Sequence, residues 1–244
     1  MEPFYLLRSM LFRKAKGLEI VVMGAGRGGT SLLATLLDAH PQLEVASEDH
    51  VAEFLVEKNP RYPDVSSKLA AFVKACTKDA KQSKLRYGNK ITTEQLGFLE
   101  DFKENLEVRD LIRQELWEGR KLIFIVRDGR TCISSKLERT GVDYATALSY
   151  WKHSVSMLRY LKSQDLDLHL LKFEDLLQNP RKELEQLCAF LGLSYSESML
   201  SGTSSDRILV DYRQQDLDAN RVQRTVDSRI KQADIQTELD FLAY

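Results

Sequence analysis

The sequence predicts an α/β fold, a three-layer α/β/α arrangement around a central parallel sheet, with a P-loop-like phosphate-binding loop after its first strand. Three observations carry that prediction. The β-branched run "EIVVMG" (19–24) stops at glycine, as a buried parallel strand does. It is followed by "TSLLATLLDAH", in which Leu33, Leu36 and Leu37 recur at helical spacing before Pro41 ends the pattern. A second run, "KLIFIVRD" (121–128), is apolar from Leu122 to Val126 and again leads into a helical segment. Strands that alternate with helices need crossover connections, which implies a parallel sheet with right-handed crossovers.

The remaining elements follow in order. Residues 50–83 read as helical, broken at "NPRYPD" by Pro60 and Pro63. "LRYGNKITTEQLGFL" passes from a short strand into a helix starting near Thr92 or Thr93, with Thr93 a candidate cap. A helix follows Gly129, and a long one covers about 143–163. "LDLHLLKFEDLL" holds a third strand near Leu168–Leu171. "NPRKELEQLCAFLGL" is an amphipathic helix with Pro180 near its start and Gly192 at its end. After about residue 203 the chain turns polar and irregular. With no internal repeat or linker, residues 1–244 read as a single domain with a recognisable core over about 18–195 and an irregular segment over 203–244.

Composition limits the function. The 244 residues carry a formal net charge of -1, so no overall basic field argues for nucleic acid, and any anion site must be local. Cys76, Cys132 and Cys188 are far apart without C-x-x-C spacing, which suggests neither zinc nor a disulfide framework and fits a reducing, cytoplasmic compartment. The opening "MEPFYLLRSMLFRKAKGLE" is interrupted by Arg8 and Arg13. It is expected to form an amphipathic surface helix rather than a transmembrane segment or signal peptide.

The chemistry starts at "VVMGAGRGGTSLLATLLDAHP" (21–41). Gly24, Gly29 and Ser31 match G-x-x-x-x-G-K-[ST], but Thr30 stands where the lysine belongs. Glycines 24, 26, 28 and 29 let the backbone present amide groups inward, and the following helix N-terminus completes an anion site. Without the lysine the loop is poorly equipped for a γ-phosphate. Arg27 offers instead a planar fork of donors for a terminal group with equivalent oxygens. In "RDGRTCISS" (127–135), Arg127, Ser134 and Ser135 could receive a second phosphate; the rival reading puts Asp128 on magnesium as an NTPase would.

Together these pieces resemble the sulfotransferases that use 3′-phosphoadenosine 5′-phosphosulfate (PAPS). "GRGGTSLLATLLDAHP" is similar to that family's first signature and "VRDGRTCISS" to its second. "YGNKIT" falls between them where the family has W-G-[DE]-K-[TD]-P, and "FEDLLQNPRKELEQLCAFLGL" matches a late stretch. The resemblance covers roughly residues 18–195. It implies that Arg27, Gly28, Gly29, Thr30 and Ser31 cradle the 5′-phosphosulfate. Arg127 and Ser135 would then hold the 3′-phosphate, with Ser134 beside them. It also implies metal-independent in-line transfer of a sulfuryl group to an acceptor hydroxyl or amine, releasing PAP. Arg27 and Lys90, helped by Thr30, would stabilise the leaving oxygen.

The acceptor must lose a proton to a nearby base. In "EVASEDH" (44–50), Glu48 is the first candidate, His50 the second and Asp49 the third. His40, beside Pro41, reads as structural. Gly129 stands where the family usually has proline. No C-terminal R-K-G-x-x-G-like loop is evident, though Arg221, Arg224, Arg229 and Lys231 could substitute for its charge. Segments 50–86 and 140–160, with the tail from 203 a further candidate, are expected to shape the acceptor pocket, for which Tyr62, Tyr144, Tyr150 and Trp151 are candidates. The expected acceptor is a small molecule, lipid or glycan. A nucleotide kinase or NTPase, or a PAP/PAPS-binding interaction protein without catalysis, is the alternative.

Overall fold

β1 (Leu18–Gly24) sends Val21 and Met23 into one core and Ile20 and Val22 into the other, all with no exposure to solvent. β4 (Lys121–Val126) divides likewise, with Leu122, Phe124 and Val126 on one side and Ile123 and Ile125 on the other. Strands with both faces covered read as continuous apolar runs, which is why these two are plain in the sequence. The structure, a computed structural model, describes residues 17–204 and 226–244. Its sheet has five parallel strands in the order β2-β3-β1-β4-β5, with β2 at Leu43–Ser47, β3 at Arg86–Thr92 and β5 at Leu168–Lys172. The three-layer α/β/α expectation holds.

α1 (Thr30–Asp38) packs on one face with α7 (Phe173–Gln178) and α8 (Pro180–Leu191). The other face carries α2 (Val65–Gln82), α3 (Thr93–Gly97), α4 (Leu106–Ile112), α5 (Gly129–Thr140) and α6 (Tyr144–Lys162). The chain leaving β1 therefore turns to one face and the chain leaving β4 to the other. Adjacent parallel strands whose connections diverge open a crevice at their carboxyl ends, where α/β proteins bind ligands.

Several expectations change in detail. The short edge strand β2 was not evident in "EVASEDH", because only Leu43 and Val45 along it are buried. The helix cap after β3 is Thr92, whose N–H donates to Gln95 Oε1 at 2.8 Å. Thr93 is instead the first helical residue, and its hydroxyl donates to the Gly24 carbonyl at 3.3 Å. The polar tail contains α9 (Gln232–Leu242), which buries Ile235, Leu239 and Leu242 against the first core. Of the N-terminal stretch 1–19 expected to form an amphipathic helix, residues 1–16 lie outside the described residues, as do Arg221 and Arg224, and Leu18 and Glu19 already belong to β1.

Behind α3, Glu100 is enclosed by Arg109 (Nε to Oε2, 3.0 Å) and His153, and Arg109 also donates to Ser156 Oγ at 3.0 Å. Burial alone would push the Glu100 carboxyl up; the hydrogen bonds from His153 and Arg109 outweigh it and hold the group below its ordinary value. A charge pair this deep fixes the α3–α4–α6 packing, since removing one partner strands the other, at about 3–5 kcal/mol.

Candidate active site at the carboxyl edge of the sheet

The loop after β1 is a tight turn in which the Gly28 amide donates to the Ala25 carbonyl at 2.8 Å. Arg27 is left-handed (φ 71°) and Gly29 has φ 100° as it starts α1. A Cβ on Gly29 would lie 2.4 Å from the Phe173 ring, so glycine is required there both by φ and by space. Thr30 is buried at the α1 N-terminus. The region is a concavity of amides and hydroxyls at a helix start, suited to an anion.

The second half comes from β4 and α5. Arg127, 6% exposed, donates from Nε to Thr131 Oγ1 at 3.0 Å and from a terminal nitrogen to the Arg27 carbonyl at 2.9 Å. Its guanidinium lies 4.6 Å from the centre of the Phe173 ring. The arginine assigned to the second phosphate thus also shapes the first loop. Arg27 Nε is 3.5 Å from Ser135 Oγ, which brings the two motifs together directly. Ser134 is engaged differently: its hydroxyl donates to the Arg130 carbonyl at 2.6 Å and accepts from the Asp227 amide at 2.9 Å.

Asp128, the rival magnesium ligand, caps α5 by accepting from the Arg130 amide at 2.8 Å and pairs with the Arg130 guanidinium at 2.5 Å. Among the described residues no cluster of three or more His, Cys, Asp or Glu is placed to hold a metal. Gly129 has a packing reason to be glycine. A Cβ there would come within 2.5 Å of Trp151 Cζ2, so the indole fills the space beside α5.

The third part hangs from β2 and β3. Lys90 Nζ reaches Glu48 Oε1 at 2.5 Å; the lysine side chain is 4% exposed and the glutamate 36%. The Glu48 amide donates to the Lys90 carbonyl at 3.1 Å, and Asn89 Nδ2 donates to the Asp49 carbonyl at 2.9 Å, so β3 holds the turn. Glu48 and His50 are left-handed (φ 68° and 67°), a conformation that non-glycine residues adopt seldom and at some energy cost. His50 Nε2 is 2.6 Å from Asp79 Oδ2, and Asp49 is exposed. The described structure joins Glu48 to Lys90 and turns His50 toward α2.

His40 is structural, as expected. The Gln42 amide donates to Nδ1 at 3.1 Å, which leaves Nε2 as the donor to the Ser194 carbonyl at 2.9 Å. Of the aromatic candidates, Trp151 belongs to the core and donates to the Arg127 carbonyl at 3.4 Å. Tyr144 bonds Asp234 Oδ2 at 2.9 Å, Tyr62 packs edge-on against Phe54, and Tyr150 stacks on Phe102 with centroids 4.8 Å apart. Arg229 pairs with Asp227 at 2.7 Å, and the Lys231 amide donates to Tyr144 Oη at 3.4 Å. The three cysteines are free and buried, and burial pushes the Cys132 thiol up to about 11. No helix among the described residues is long and apolar enough to cross a membrane.

Sequence reasoning missed Phe173, the floor under Gly29, and a buried Glu94–Lys136 pair beside Gly26. Phe173 lies inside the quoted "FEDLL", where its position straight after β5 was the available signal.

A glycine loop at a helix start, a buried arginine after the neighbouring strand, and a lysine on β3 paired with a carboxylate after β2 form a crevice suited to an anionic ligand. The profile of the sulfotransferase family matches residues 19–197, and the chain belongs to that family. It is an enzyme of the PAPS-dependent sulfotransferase type. A Caenorhabditis briggsae protein carrying the name of a protein-tyrosine sulfotransferase is 23% identical over 225 residues, covering 86% of this chain and 78% of that one. The Gallus gallus protein-tyrosine sulfotransferase 2 is 23% identical over 222 residues, with 78% of this chain aligned and 55% of the relative spanned. Among solved structures, the sulfotransferase domain of the Synechococcus PCC 7002 olefin synthase superposes with a TM-score of 0.64 at 21% identity, covering 95% and 96% of the two chains. A mouse sulfotransferase complexed with PAP gives 0.52 at 15% identity, covering 94% and 84%. These likenesses establish the fold, and the motif resemblance is borne out at the level of the family.

Proposed function

We propose that this enzyme transfers the sulfuryl group of PAPS to an acceptor hydroxyl, with Glu48 as general base and Lys90 and Arg27 stabilising the leaving oxygen. The observation that carries the assignment is the Lys90–Glu48 contact of 2.5 Å at the carboxyl edge of the sheet, one strand from the glycine loop. The acceptor oxygen attacks sulfur in line, its proton passes to Glu48, and the bond from sulfur to the 5′-phosphate oxygen breaks to release PAP. Charge on that departing oxygen is met by fixed donors, the kind of electrostatic preorganisation that supplies large rate effects. The loop amides with Arg27, Gly28, Gly29, Thr30 and Ser31 would hold the 5′-phosphosulfate. Arg127 and Ser135, with Ser134 as neighbour, would hold the 3′-phosphate. The PAP bound to the mouse neighbour supports the same donor here. Transfer without a metal is part of the proposal.

The relatives named for protein-tyrosine sulfation make a phenolic hydroxyl the first acceptor to try, ahead of the glycan, lipid or other small-molecule hydroxyls that the sequence suggested. Three free, buried cysteines support a cytoplasmic place of action. Calorimetric titration with PAP, beside ATP plus magnesium, tests the donor assignment. Selective, metal-independent binding of PAP that Arg127→Ala weakens about tenfold or more is expected, because a hydrogen bond to a charged group is worth about 1.5–3 kcal/mol. Tighter binding of magnesium-ATP, with no response to Arg127→Ala, would sink the proposal.

A further inference from the structure

Glu94 and Lys136 form an ion pair among the buried residues on the donor side of the sheet, their side chains 9% and 8% exposed. Neither belongs to the motifs that identify the family. Glu94 sits in the first turn of α3, four residues past Lys90; Lys136 follows Ser135 on α5. Between them lies the donor loop. The Gly26 amide donates to Glu94 Oε2 at 2.8 Å and to Oε1 at 3.0 Å, so the carboxylate accepts from loop backbone and lysine together. A Cβ on Gly26 would stand 3.0 Å from Glu94 Oε1 and 3.1 Å from Lys136 Nζ, so glycine is what lets the pair close against the loop. Cys132 Sγ contacts the Gly26 carbonyl at 3.7 Å, and Tyr150 presents its ring 5.0 Å from the Lys136 ammonium.

We propose that Glu94 and Lys136 are positioning residues for donor binding: their ion pair pins the Gly26 amide and thereby locks the 5′-phosphosulfate loop to α3, which follows directly on the strand of Lys90, and to α5, which carries Ser135. The physical case has two parts. A hydrogen bond from an amide to a carboxylate is about twice as strong as one to a neutral acceptor. A buried pair also holds its geometry, because moving either partner strands the other charge. The loop that must receive an anion is therefore set in advance by an internal one, held at Gly26, next to Arg27, by a carboxylate that is not itself assigned to the ligand. Preorganisation of this kind lowers the ordering penalty on ligand binding. The inference rests on the proposed PAPS site.

Two double variants test it. Glu94→Met/Lys136→Met removes both charges together and leaves the Gly26 amide without its acceptor. Glu94→Gln/Lys136→Met removes the charges but retains an amide oxygen for Gly26. The first variant is expected to raise the KM for PAPS and the Kd for PAP by about tenfold. Its kcat should stay within threefold and its melting temperature close to wild type. The second should recover most of the lost affinity. Hydrogen exchange at the Gly26 amide should be fast only in the first. Wild-type PAP affinity in the Met/Met variant overturns the proposal, as do losses in the two variants that merely track their melting temperatures. Failure of the wild-type protein to bind PAP would instead overturn the donor reading.

Discussion

The two sides of the crevice are built differently. On the side proposed for the donor, Arg127, Thr30, Ser135, Glu94 and Lys136 are all buried, and contacts from Arg127 and Ser135 to Arg27 and between Glu94 and Lys136 tie the loop after β1, the end of β4, α3 and α5 together. On the opposite side, Glu48 and His50 ride on one short turn after an edge strand, and their carboxylate and imidazole are a third exposed. A site for one fixed phosphorylated ligand can be made part of the framework. A site that must admit and release an acceptor, and then take its proton, has to leave its reacting group open to the crevice. Substitutions that break the packing under the donor loop should therefore be felt in stability and affinity together, the charge-balanced Glu94/Lys136 double variants in affinity, and those at the turn mainly in turnover.

Glu48→Gln keeps the shape of the side chain but removes its capacity to accept a proton. It should lower kcat by about 10²–10⁴-fold, the usual contribution of a positioned base. PAP affinity should stay at its wild-type value, because the side chain lies outside the donor loop, and the melting temperature should fall only modestly, since Lys90, 4% exposed, loses its counter-charge but keeps an amide oxygen to donate to. A steady-state assay paired with PAP titration reads both. Equal losses of kcat and PAP affinity would mean that the two sides of the crevice act as one unit.

Gly29→Ala probes the donor side. The new methyl would meet the Phe173 ring at 2.4 Å on a backbone with φ 100°, so steric overlap and conformational strain act together. A stability loss of at least about 2 kcal/mol is expected. PAP affinity should fall with it, because Phe173 cannot give way without shifting Arg127, whose guanidinium lies over its ring. Denaturant unfolding beside calorimetry would measure the two changes. Loss of stability with unchanged affinity would separate the loop's packing from its binding role.

The same contrast explains what the sequence could disclose. Strands β1 and β4 and the loop between β1 and α1 were legible because burial on both faces writes an unbroken apolar run and a turn demands glycine. The Lys90–Glu48 partnership was legible only as two separate candidates, since nothing in a linear sequence states that the ends of β2 and β3 are neighbours. The Glu94–Lys136 pair was invisible for a physical reason. Two opposite charges that neutralise each other inside the fold look like ordinary surface residues, and their separation by 42 positions leaves no periodic trace. α9 was missed although Ile235, Leu239 and Leu242 recur at i, i+4 and i+7, the spacing of an amphipathic helix, because the polar residues around them dominate the stretch. Gly129 showed in the sequence only as a replacement for the family's proline, yet Trp151 fills the space beside it.

The smallest expected effect decides the remaining ambiguity at the acceptor side. His50 and Asp79 form an ion-pair geometry at 2.6 Å with side chains 30% and 33% exposed. Pairs of that exposure contribute about 0–1 kcal/mol, so His50→Gln should barely move the melting temperature. Its effect on kcat distinguishes two roles. If Glu48 takes the acceptor's proton, His50 only props the turn against α2, and kcat should stay within about threefold of wild type. If the imidazole is the base, kcat should fall by at least about 10²-fold, and Glu48→Gln should cost much less. The geometry favours the first outcome. The lysine that contacts Glu48 extends from β3 beside the donor loop, whereas the ring nitrogen of His50 that has a partner is directed at a helix on the flank of the sheet.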